Sequence, residues 1–433
     1  GYDSSDQASL TGPVSLKRGR VLGGINLGVP LTSRRENFLG GVGDITLNLS
    51  ADVSQLSDFG TLTGWTTGLT WGLTSKLGLQ ASYIVNQSAP TISDLGSPIA
   101  TTYNVPVYDF TRGETALVTL TSGGNPALLR ETQRDLKLGV NWQLPVLSNS
   151  SLVAEYFRNR SSNVTAAFPL LTPDIEAAFP GRVTRNASGQ LVAIDQRSVT
   201  FFRQEASRLR WGINLSDGFG KAAPAGGMMG AMFGGRGPGG GPRPAGGPPP
   251  GGGAGPRGGG RGGMMGMMGG GGQPGRWTLG LYHTVQFESR VLIAPGGPLL
   301  DLLNGDTLTT GGTPRHTLEF NGGVFYKGIG SFFNGTWKAP TTVAASGLPG
   351  TSDLRFGSVT AVNLFLFMDF SARPKLIENV PFLKGARMSL RIENLFNSRQ
   401  KVTDGTGTVP LSYQADYLDP RGRVIGLQFR KTF

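Results

Sequence analysis

The chain alternates hydrophobic and polar residues over many of its segments. Between residues 45 and 53 the odd positions carry Ile, Leu, Leu, Ala and Val, and the even positions carry Thr, Asn, Ser and Asp. Leu136–Leu144 and Leu209–Leu215 repeat this alternation. A period of two belongs to a β-strand, whose successive side chains point to opposite faces of a sheet. Because no segment has a convincing helical period, the sequence predicts an all-β fold.

Thirteen segments follow this pattern and are predicted to be strands. They are residues 14–27, 43–55, 61–73, 77–86, 134–144, 152–160, 203–215, 277–288, 318–326, 329–339, 359–370, 386–396 and 423–433. The first is the weakest, because Arg18, Gly19 and Arg20 interrupt its alternation. Many of the segments are about 9–13 residues long, against about 5–6 for a strand in a globular protein. Strands of this length are typical of a transmembrane barrel.

The connections between the predicted strands alternate between short and long. If the last strand ends in the periplasm, the tight turns at 74–76, 145–151 and 327–328 lie on the periplasmic side. The long loops at 87–133, 161–202, 289–317, 340–358 and 397–422 then lie outside the cell. Short inner turns and long outer loops are the outer-membrane pattern, although 28–42, 56–60 and 371–385 depart from it.

Aromatic residues near the strand ends favour the same interpretation. Interfacial girdles of a membrane barrel need them there, and the sequence has Trp65, Trp71, Tyr83, Trp277, Tyr326 and Trp337. The predicted fold is therefore an antiparallel transmembrane β-barrel with its apolar face towards lipid. Leu47, Leu138, Trp211 and Leu427 are expected on the outside, and Asn48, Lys137, Arg210 and Gln428 on the inside. A soluble β-sandwich, acting as a surface or adhesion protein, also alternates and remains an alternative.

Residues 217–276 interrupt the strands with a Gly-, Pro- and Met-rich insert. Of the 56 residues from 221 to 276, 26 are Gly and 9 are Pro. Such a composition buries too little apolar surface to offset its ordering entropy, so we expect disorder and, by strand parity, a periplasmic position. Residues 221–276 contain six basic and no acidic residues, which is half of the net charge of +12. A flexible spacer is favoured over Cu(I) binding by its methionines or RNA binding by Arg257–Gly263. It divides barrel strands 1–216 from barrel strands 277–433.

The sequence offers little to an enzyme, so we expect no catalytic site, cofactor or metal. There are no cysteines and two histidines, His283 and His316. His283 shares a face with Leu281 and Val285, which suits a position at the lipid boundary better than catalysis. Three groups of residues are interpreted as loop turns, namely 186–188, 304–306 and 404–407. The charge outside the insert is ordinary, so no nucleic-acid partner is expected.

The last strand carries the most specific signal. Ile425, Leu427, Phe429 and the terminal Phe433 alternate with Gly426, Gln428, Arg430 and Thr432, apart from Lys431. A final strand that alternates in this way and closes on an aromatic residue is what the outer-membrane assembly machinery recognises in barrels of this class. We predict an assembly signal here.

A wider pattern at this end resembles the carboxy-terminal signature of TonB-dependent receptors. It comprises Asn394, Leu395, Phe396 and Asn397 after Arg391–Glu393, then Tyr413, Tyr417, Gly422, Arg423 and the final strand. Leu56–Gly60, Gly68–Trp71 and Leu79–Tyr83 are similar to mid-barrel sequence of that family. The resemblance covers residues 43–433 without the insert.

The resemblance implies TonB-energised uptake of a scarce ligand, such as a ferric siderophore, across the Gram-negative outer membrane. Its implied partners are outer-membrane lipid and lipopolysaccharide, the assembly machinery, a small-molecule or metal-chelate cargo, and TonB through a plug domain. Family members have a plug and a 22-stranded barrel; the sequence contains no plug, and its 13–14 strands suggest a truncated barrel. Which residues bind cargo is not predicted. A passive porin-like or structural barrel is the alternative function.

Overall fold

Thirteen long strands form one antiparallel sheet in which each strand pairs with the next of the thirteen along the chain. The computed structural model describes residues 9–10, 17–220 and 275–432, apart from 35, 37, 110, 113, 148, 310, 346–351 and 411–412. Numbered in chain order among all strands, the thirteen are β2 (Arg20–Thr32), β3 (Asp44–Leu56), β4 (Gly60–Gly72), β5 (Leu77–Ser88), β8 (Glu131–Gln143), β9 (Asn149–Ala166), β12 (Val199–Phe219), β13 (Gly275–Leu292), β15 (His316–Tyr326), β16 (Ile329–Lys338), β19 (Val359–Asp369), β20 (Ala386–Glu393) and β22 (Val424–Lys431).

These strands confirm the predicted all-β antiparallel fold, although several strand bounds differ from the prediction, most of all at the first strand. The strand predicted at 14–27 begins at Arg20 and continues to Thr32. The reason is its pairing with β3, which sets Ile25, Leu27 and Val29 opposite Ala51, Leu49 and Leu47. A strand with one apolar face takes the register that keeps this face continuous, so the pairing overrides the local sequence signal. Within the described residues, β2 and β22 each pair on one side only, so the sheet has two free edges.

The connections divide the sheet into two unlike ends. At one end, which we call the turn end, described connections include residues 73–76, 144–147 and 327–328. At the other, the loop end, lie residues 89–130, 167–198, 293–315, 339–358 and 394–423. The alternation of short turns and long loops predicted from the sequence is therefore confirmed. The turn end also carries the longer connection 370–385, with η2 (Phe370–Ala372), α3 (Pro374–Asn379) and η3 (Pro381–Leu383), and the connection 33–43, with η1 (Gly40–Val42).

The connections at the loop end fold into a structure of their own, which the sequence did not predict. Five strands form a second sheet in the order β1-β6-β7-β11-β10. They are β1 (Ser9–Leu10), β6 (Ala100–Asp109), β7 (Glu114–Ser122), β10 (Val183–Arg185) and β11 (Leu191–Asp195). Two short helices accompany them, α1 (Ile92–Gly96) and α2 (Pro173–Ala178). We call the structured residues of 89–130 and 167–198 the loop module.

Smaller elements complete the loop end. A three-stranded sheet contains β17 (Thr341–Val343), β18 (Leu354–Phe356) and β21 (Val402–Thr403). Strand β14 (Leu299–Asp301) extends the main sheet beside β13, and α4 (Ala415–Leu418) precedes β22. Among the described residues, no helix has both the length and the apolar composition needed to cross a membrane.

The largest hydrophobic clusters lie at the loop end rather than on the main sheet. Ile175 and Ile194 of the loop module pack with Phe201 and Val291, where β12 and β13 enter it. A second cluster surrounds Phe356 in the smaller loop sheet. The loop end is therefore a packed cap held by burial of apolar surface, whereas most apolar side chains of the main sheet are not buried.

The pairing of β12 with β13 extends into both ends of the segment predicted as the insert, residues 217–276. Phe219 is the last residue of β12 and Gly275 the first of β13, and the two are paired. The cross-strand pairing of β12 with β13 therefore includes residues 217–219 and 275–276. Residues 221–274 lie outside the described residues.

Candidate functional site

The main sheet has two chemically different faces, and strand register makes each face continuous. Directly paired residues of an antiparallel sheet point to the same side. One row of pairs crosses seven strands from β3 to β13. Its members are Leu47, Leu69, Ala81, Leu138, Tyr156, Leu209 and Val285. We call this side the apolar face and the opposite side the polar face.

The four residues predicted to lie outside all belong to the apolar face. Leu138 is 43% exposed, Trp211 44% and Leu427 66%, while Leu47 is half-buried. None is packed into a closed core. Their polar neighbours Asn48, Lys137, Arg210 and Gln428 occupy the opposite face, as alternation requires. The predicted separation of the two sets is confirmed.

An ion pair crosses the polar face at mid-sheet. The guanidinium of Arg210 on β12 lies 2.8 Å from a carboxylate oxygen of Glu319 on β15. It also lies 4.1 Å from the ring centroid of Tyr282 on the intervening strand β13. Three strands are thereby connected by charge and ring contacts on the polar face.

A second polar group lies on β8, β9 and β12. Lys137 and Arg208 approach the ring of Phe157 from two sides, at 5.6 and 5.0 Å from its centroid. Towards the loop end, the buried Asp135 carboxylate accepts hydrogen bonds from Gln133 at 2.8 Å and Asn159 at 2.6 Å. Fixed charges and amides therefore line the polar face up to the loop module.

The loop module is fixed by a buried ion cluster. Arg185 of β10 donates to both carboxylate oxygens of Asp109 at 2.6 and 3.0 Å, and to both oxygens of Glu176 at 2.8 Å. The Asp109 side chain is 1% exposed. Burial alone would raise the pKa of Asp109, but hydrogen bonds from Arg185 and the Thr111 backbone outweigh it, so the pKa is lowered. The ionised cluster holds β6, α2 and β10 together.

The residues that resemble the family signature form a corner between β20 and β22. Asn394 and Asn397 both have a φ of 52°, and Gly422 has a φ of 57°. The Asn394 side chain bonds the backbone of Ser398 at 2.8 and 2.9 Å, and the side-chain amide oxygen of Asn397 accepts the Arg423 backbone N–H at 3.0 Å. Side chains that cap the backbone allow a sharp turn.

Leu395 and Phe396 complete this corner. The Leu395 backbone N–H donates to the Val362 carbonyl at 2.7 Å, while the Phe396 side chain is 65% exposed. The geometry gives the motif a structural task, which is to end β20 and fix the start of β22.

The predicted assembly signal lies on one face of the last described strand. Ile425, Leu427 and Phe429 alternate along β22 and pair with Ile392, Leu390 and Met388 of β20. They are 62%, 66% and 50% exposed. Phe433 lies outside the described residues. The arrangement offers an apolar strip on an edge strand, and its recognition by assembly machinery stays a prediction.

The two histidines lie together on the apolar face. The distance from His283 Nε2 to His316 Nδ1 is 3.1 Å, a hydrogen bond between the rings. The edge of Trp211 meets His283 at a centroid distance of 5.8 Å. In the described part of the chain, no three His, Cys, Asp or Glu side chains form a group able to hold a metal. Two of the three predicted turns are closed by backbone bonds, from the Gly189 N–H to the Asn186 carbonyl and from the Gly407 N–H to the Asp404 carbonyl. The turn near Asn304 lies earlier than the predicted 304–306, because the Asn304 N–H bonds the Asp301 carbonyl.

The loop module is the part of the candidate site that sequence reasoning missed. Two signals could have indicated it. Thr172 before Pro173 and two acidic residues is a helix start, and Thr91 with Asp94 is a capping box, both of which the structure contains. Ala116, Val118 and Leu120 also alternate, and Val118 is buried in the module core. No local signal indicated the partner of Asp109, because Arg185 is 76 residues away.

Comparison with known proteins finds solved structures that align with the chain at low sequence identity. No protein-family model matches the chain, and no curated protein matches it. Similar solved structures include the siderophore receptor PirA from Acinetobacter baumannii, at 13% identity and TM-score 0.47 over 96% of this chain and 46% of that one. A ferric enterobactin receptor variant from Pseudomonas aeruginosa aligns at 14% identity and TM-score 0.44, over 84% of this chain and 38% of that one. The FrpB iron transporter from Neisseria meningitidis aligns at 10% identity and TM-score 0.43, over 97% of this chain and 45% of that one. The chain thus spans less than half the length of these structures.

Proposed function

We propose that this protein is an outer-membrane barrel receptor that takes up a scarce ligand, such as a ferric siderophore, in a TonB-dependent manner. The observation that carries the proposal is the continuity of the two faces across the main sheet. A soluble protein would cover an apolar face of this extent, yet Leu138, Trp211 and Leu427 are exposed. Lipid is the surroundings in which such a face is stable.

The sheet edges constrain how this arrangement can exist in a membrane. In lipid, an unpaired backbone N–H or C=O costs several kcal/mol, because no water is there to bond it. Strands β2 and β22 each have one unpaired side within the described residues. Each of these two edges therefore needs a pairing partner in the membrane.

The uptake function is supported by the position of the packed loop module. A module held by a buried ion cluster offers a shaped surface at the loop end, and the polar face offers ionic groups such as Arg210 and Glu319 below it. A ligand can be held at the former and pass along the latter. The loop end is then extracellular and the turn end periplasmic. The uptake type and its dependence on TonB rest on the resemblance of residues 391–397 and 422–433 to the receptor family.

The test compares accumulation of radioactive iron in cells that produce the protein. Cells are supplied with a panel of ferric chelates, in TonB-positive and TonB-negative backgrounds, after heat-dependent gel migration has verified the folded barrel. We expect at least one chelate to accumulate only when both the protein and TonB are present. Equal accumulation without TonB would indicate a passive channel. A folded barrel with no protein-dependent accumulation for any chelate would contradict uptake of this cargo class.

A further inference from the structure

Five arginines lie on the apolar-face side of the main sheet, close to its loop end. They are Arg134 on β8, Arg158 and Arg160 on β9, Arg203 on β12 and Arg290 on β13. Alternation along β8 and β9 puts the first three on the side of Leu138 and Tyr156. Register puts Arg290 opposite Glu205, which lies two residues from Arg203, on the same side. We call this group the arginine patch.

The carboxylates of the patch do not balance its positive charges. Glu205 lies 2.8 Å from Arg160 and 3.5 Å from Arg203, and Arg290 lies near Glu288 and Asp301 at 3.3 and 3.6 Å. The patch therefore contains five guanidinium groups and three carboxylates, and the carboxylates contact only Arg160, Arg203 and Arg290. Within the residues that the structure describes, Arg134 and Arg158 take part in no ion pair or side-chain hydrogen bond.

The pairing of strands increases the positive charge at one point. Arg134 is directly opposite Arg160 across the β8–β9 ladder, and Arg158 is on the same face two residues away. Like charges in directly opposed positions destabilise a sheet. Both Arg134 and Arg158 are exposed. An anion bound between Arg134 and Arg158 would offset the excess positive charge at this point, and guanidinium groups bind phosphate oxygens in two-point contacts.

An apolar groove lies next to the patch on the same strands. It has a volume of about 390 Å³ and is lined by residues that include Ala81, Leu138, Ala154 and Tyr156. The small side chains Ala81 and Ala154 leave a hollow between the larger ones. Along β9 the apolar-face residues are Ala154, Tyr156, Arg158 and Arg160 in sequence. At about 3.4 Å per residue, the groove floor at Ala154 is about 14 Å from Arg158.

We propose that the arginine patch and the groove together form a binding site for a phosphorylated glycolipid, the lipid A part of lipopolysaccharide. Its phosphates bind Arg134 and Arg158, and an acyl chain lies in the groove. The proposal rests on the proposed outer-membrane position, because it places the patch at the extracellular boundary of the apolar band. A free anion has no acyl chain to occupy the groove. A neutral lipid has no negative charge to bind the unpaired arginines.

The test measures lipid binding by native mass spectrometry on the full chain folded in detergent. The probes are lipid A, dephosphorylated lipid A and inorganic phosphate. The test variant is Arg134→Gln with Arg158→Gln. The matched control is Arg20→Gln with Lys338→Gln, which removes two positive charges from the polar face at the loop end. A third variant, Ala154→Phe, fills the groove without changing charge.

We expect the Arg134→Gln/Arg158→Gln variant to bind lipid A at least about tenfold more weakly, since each charge-assisted bond contributes that much or more. The control should bind as the wild type does, and wild-type protein should prefer lipid A over its dephosphorylated form. Ala154→Phe should weaken the binding of lipid A but not that of inorganic phosphate.

Three results would overturn the site. One is unchanged lipid A binding by the folded arginine variant. Another is binding of inorganic phosphate that competes fully with lipid A while Ala154→Phe has no effect, which would identify a free-anion site. The third is a wild-type chain that shows no heat-dependent gel migration, because it would contradict the membrane position and the site with it. The first two leave the proposed function intact, so the two failures are distinguishable.

Discussion

Arg185 lies between two carboxylates of the loop module, Asp109 from β6 and Glu176 from α2. Substitution by alanine would leave the Asp109 carboxylate buried without its counter-ion. Losing one partner of a buried ion pair typically costs about 3–5 kcal/mol. The neighbouring pair of Arg112 and Glu114, at 2.8 Å, is exposed on both sides and should contribute about 1 kcal/mol or less.

We therefore predict that Arg185→Ala loosens the loop module while Arg112→Ala does not. Amide hydrogen exchange in β6, β7, β10 and β11, followed by mass spectrometry, measures the effect. A loss of about 3 kcal/mol corresponds to exchange roughly a hundredfold faster. The main sheet should keep its protection in both variants. Equal exchange rates in the two variants would show that the ion cluster does not hold the module.

The pH dependence of the same module follows from the lowered pKa of Asp109. Its ordinary value is 3.8, and the folded value is lower. The unfolded module therefore binds this proton more readily than the folded one, so the stabilisation is complete above the ordinary value and declines as the pH falls through the folded value. We predict constant exchange protection from neutral pH down to about pH 5, and loosening below 3.8. Loosening of the wild-type module between pH 5 and 7 would contradict this assignment.

At the scale of elements, the strands were predictable and the loop module was not. Segments such as 136–144 predict a strand because their residues alternate between apolar and polar. Pairing with neighbouring strands then places apolar residues opposite apolar residues. The register of β2 was not readable locally, since it depends on the apolar face of β3. The strands of the module are as short as three residues, and its ion cluster joins residues 76 positions apart. The arginine patch was predictable only in part. The position of Arg134 follows from the alternation along β8, but its pairing with Arg160 depends on the register of the folded sheet.

The pairing of β12 with β13 provides a prediction about the Gly-rich insert. The two strands are paired as far as Phe219 and Gly275, so the sheet fixes both ends of residues 221–274. Loop-closure entropy grows with the logarithm of length, and a turn of a few residues differs from one of about 60 by roughly 2 kcal/mol. We predict that an Asn-Gly turn in place of 221–274 leaves assembly intact, as measured by heat-dependent gel migration. In the unaltered protein, protease added to whole cells should not cut the insert. Cleavage there would place the turn end outside the cell.

The final strand provides a second prediction at this scale. Partial burial of one aromatic side chain contributes about 1–2 kcal/mol, and its loss is too small to unfold a sheet of this size. We predict that deletion of Phe433 lowers the amount of protein in the outer membrane without lowering the denaturation temperature of the molecules that insert. Phe433→Tyr, which keeps an aromatic ring at the end, is the control. Wild-type membrane levels of the deletion variant would argue against a recognition role.

At the scale of the whole molecule, the features combine into a surface arranged by depth. On the apolar face, apolar side chains extend along β9 from the turn end to Tyr156, and the arginine patch begins two residues further on the same face. The loop module lies beyond the strands, and the polar face carries ion pairs such as Arg210 with Glu319. Apolar band, cationic boundary and packed loops follow one another in the order that a membrane, its headgroups and the extracellular medium require.

The most direct test of this account uses the absence of cysteine from the sequence. A spin label can be attached to a single cysteine introduced in turn at each position from 136 to 141 of β8, in protein reconstituted into lipid. We predict that labels at Leu136, Leu138 and Val140 collide with oxygen dissolved in the lipid, and labels at Lys137, Gly139 and Asn141 with a water-soluble nickel chelate. Labels at 136, 138 and 140 that are shielded from both reagents would identify a closed soluble core and contradict the membrane barrel.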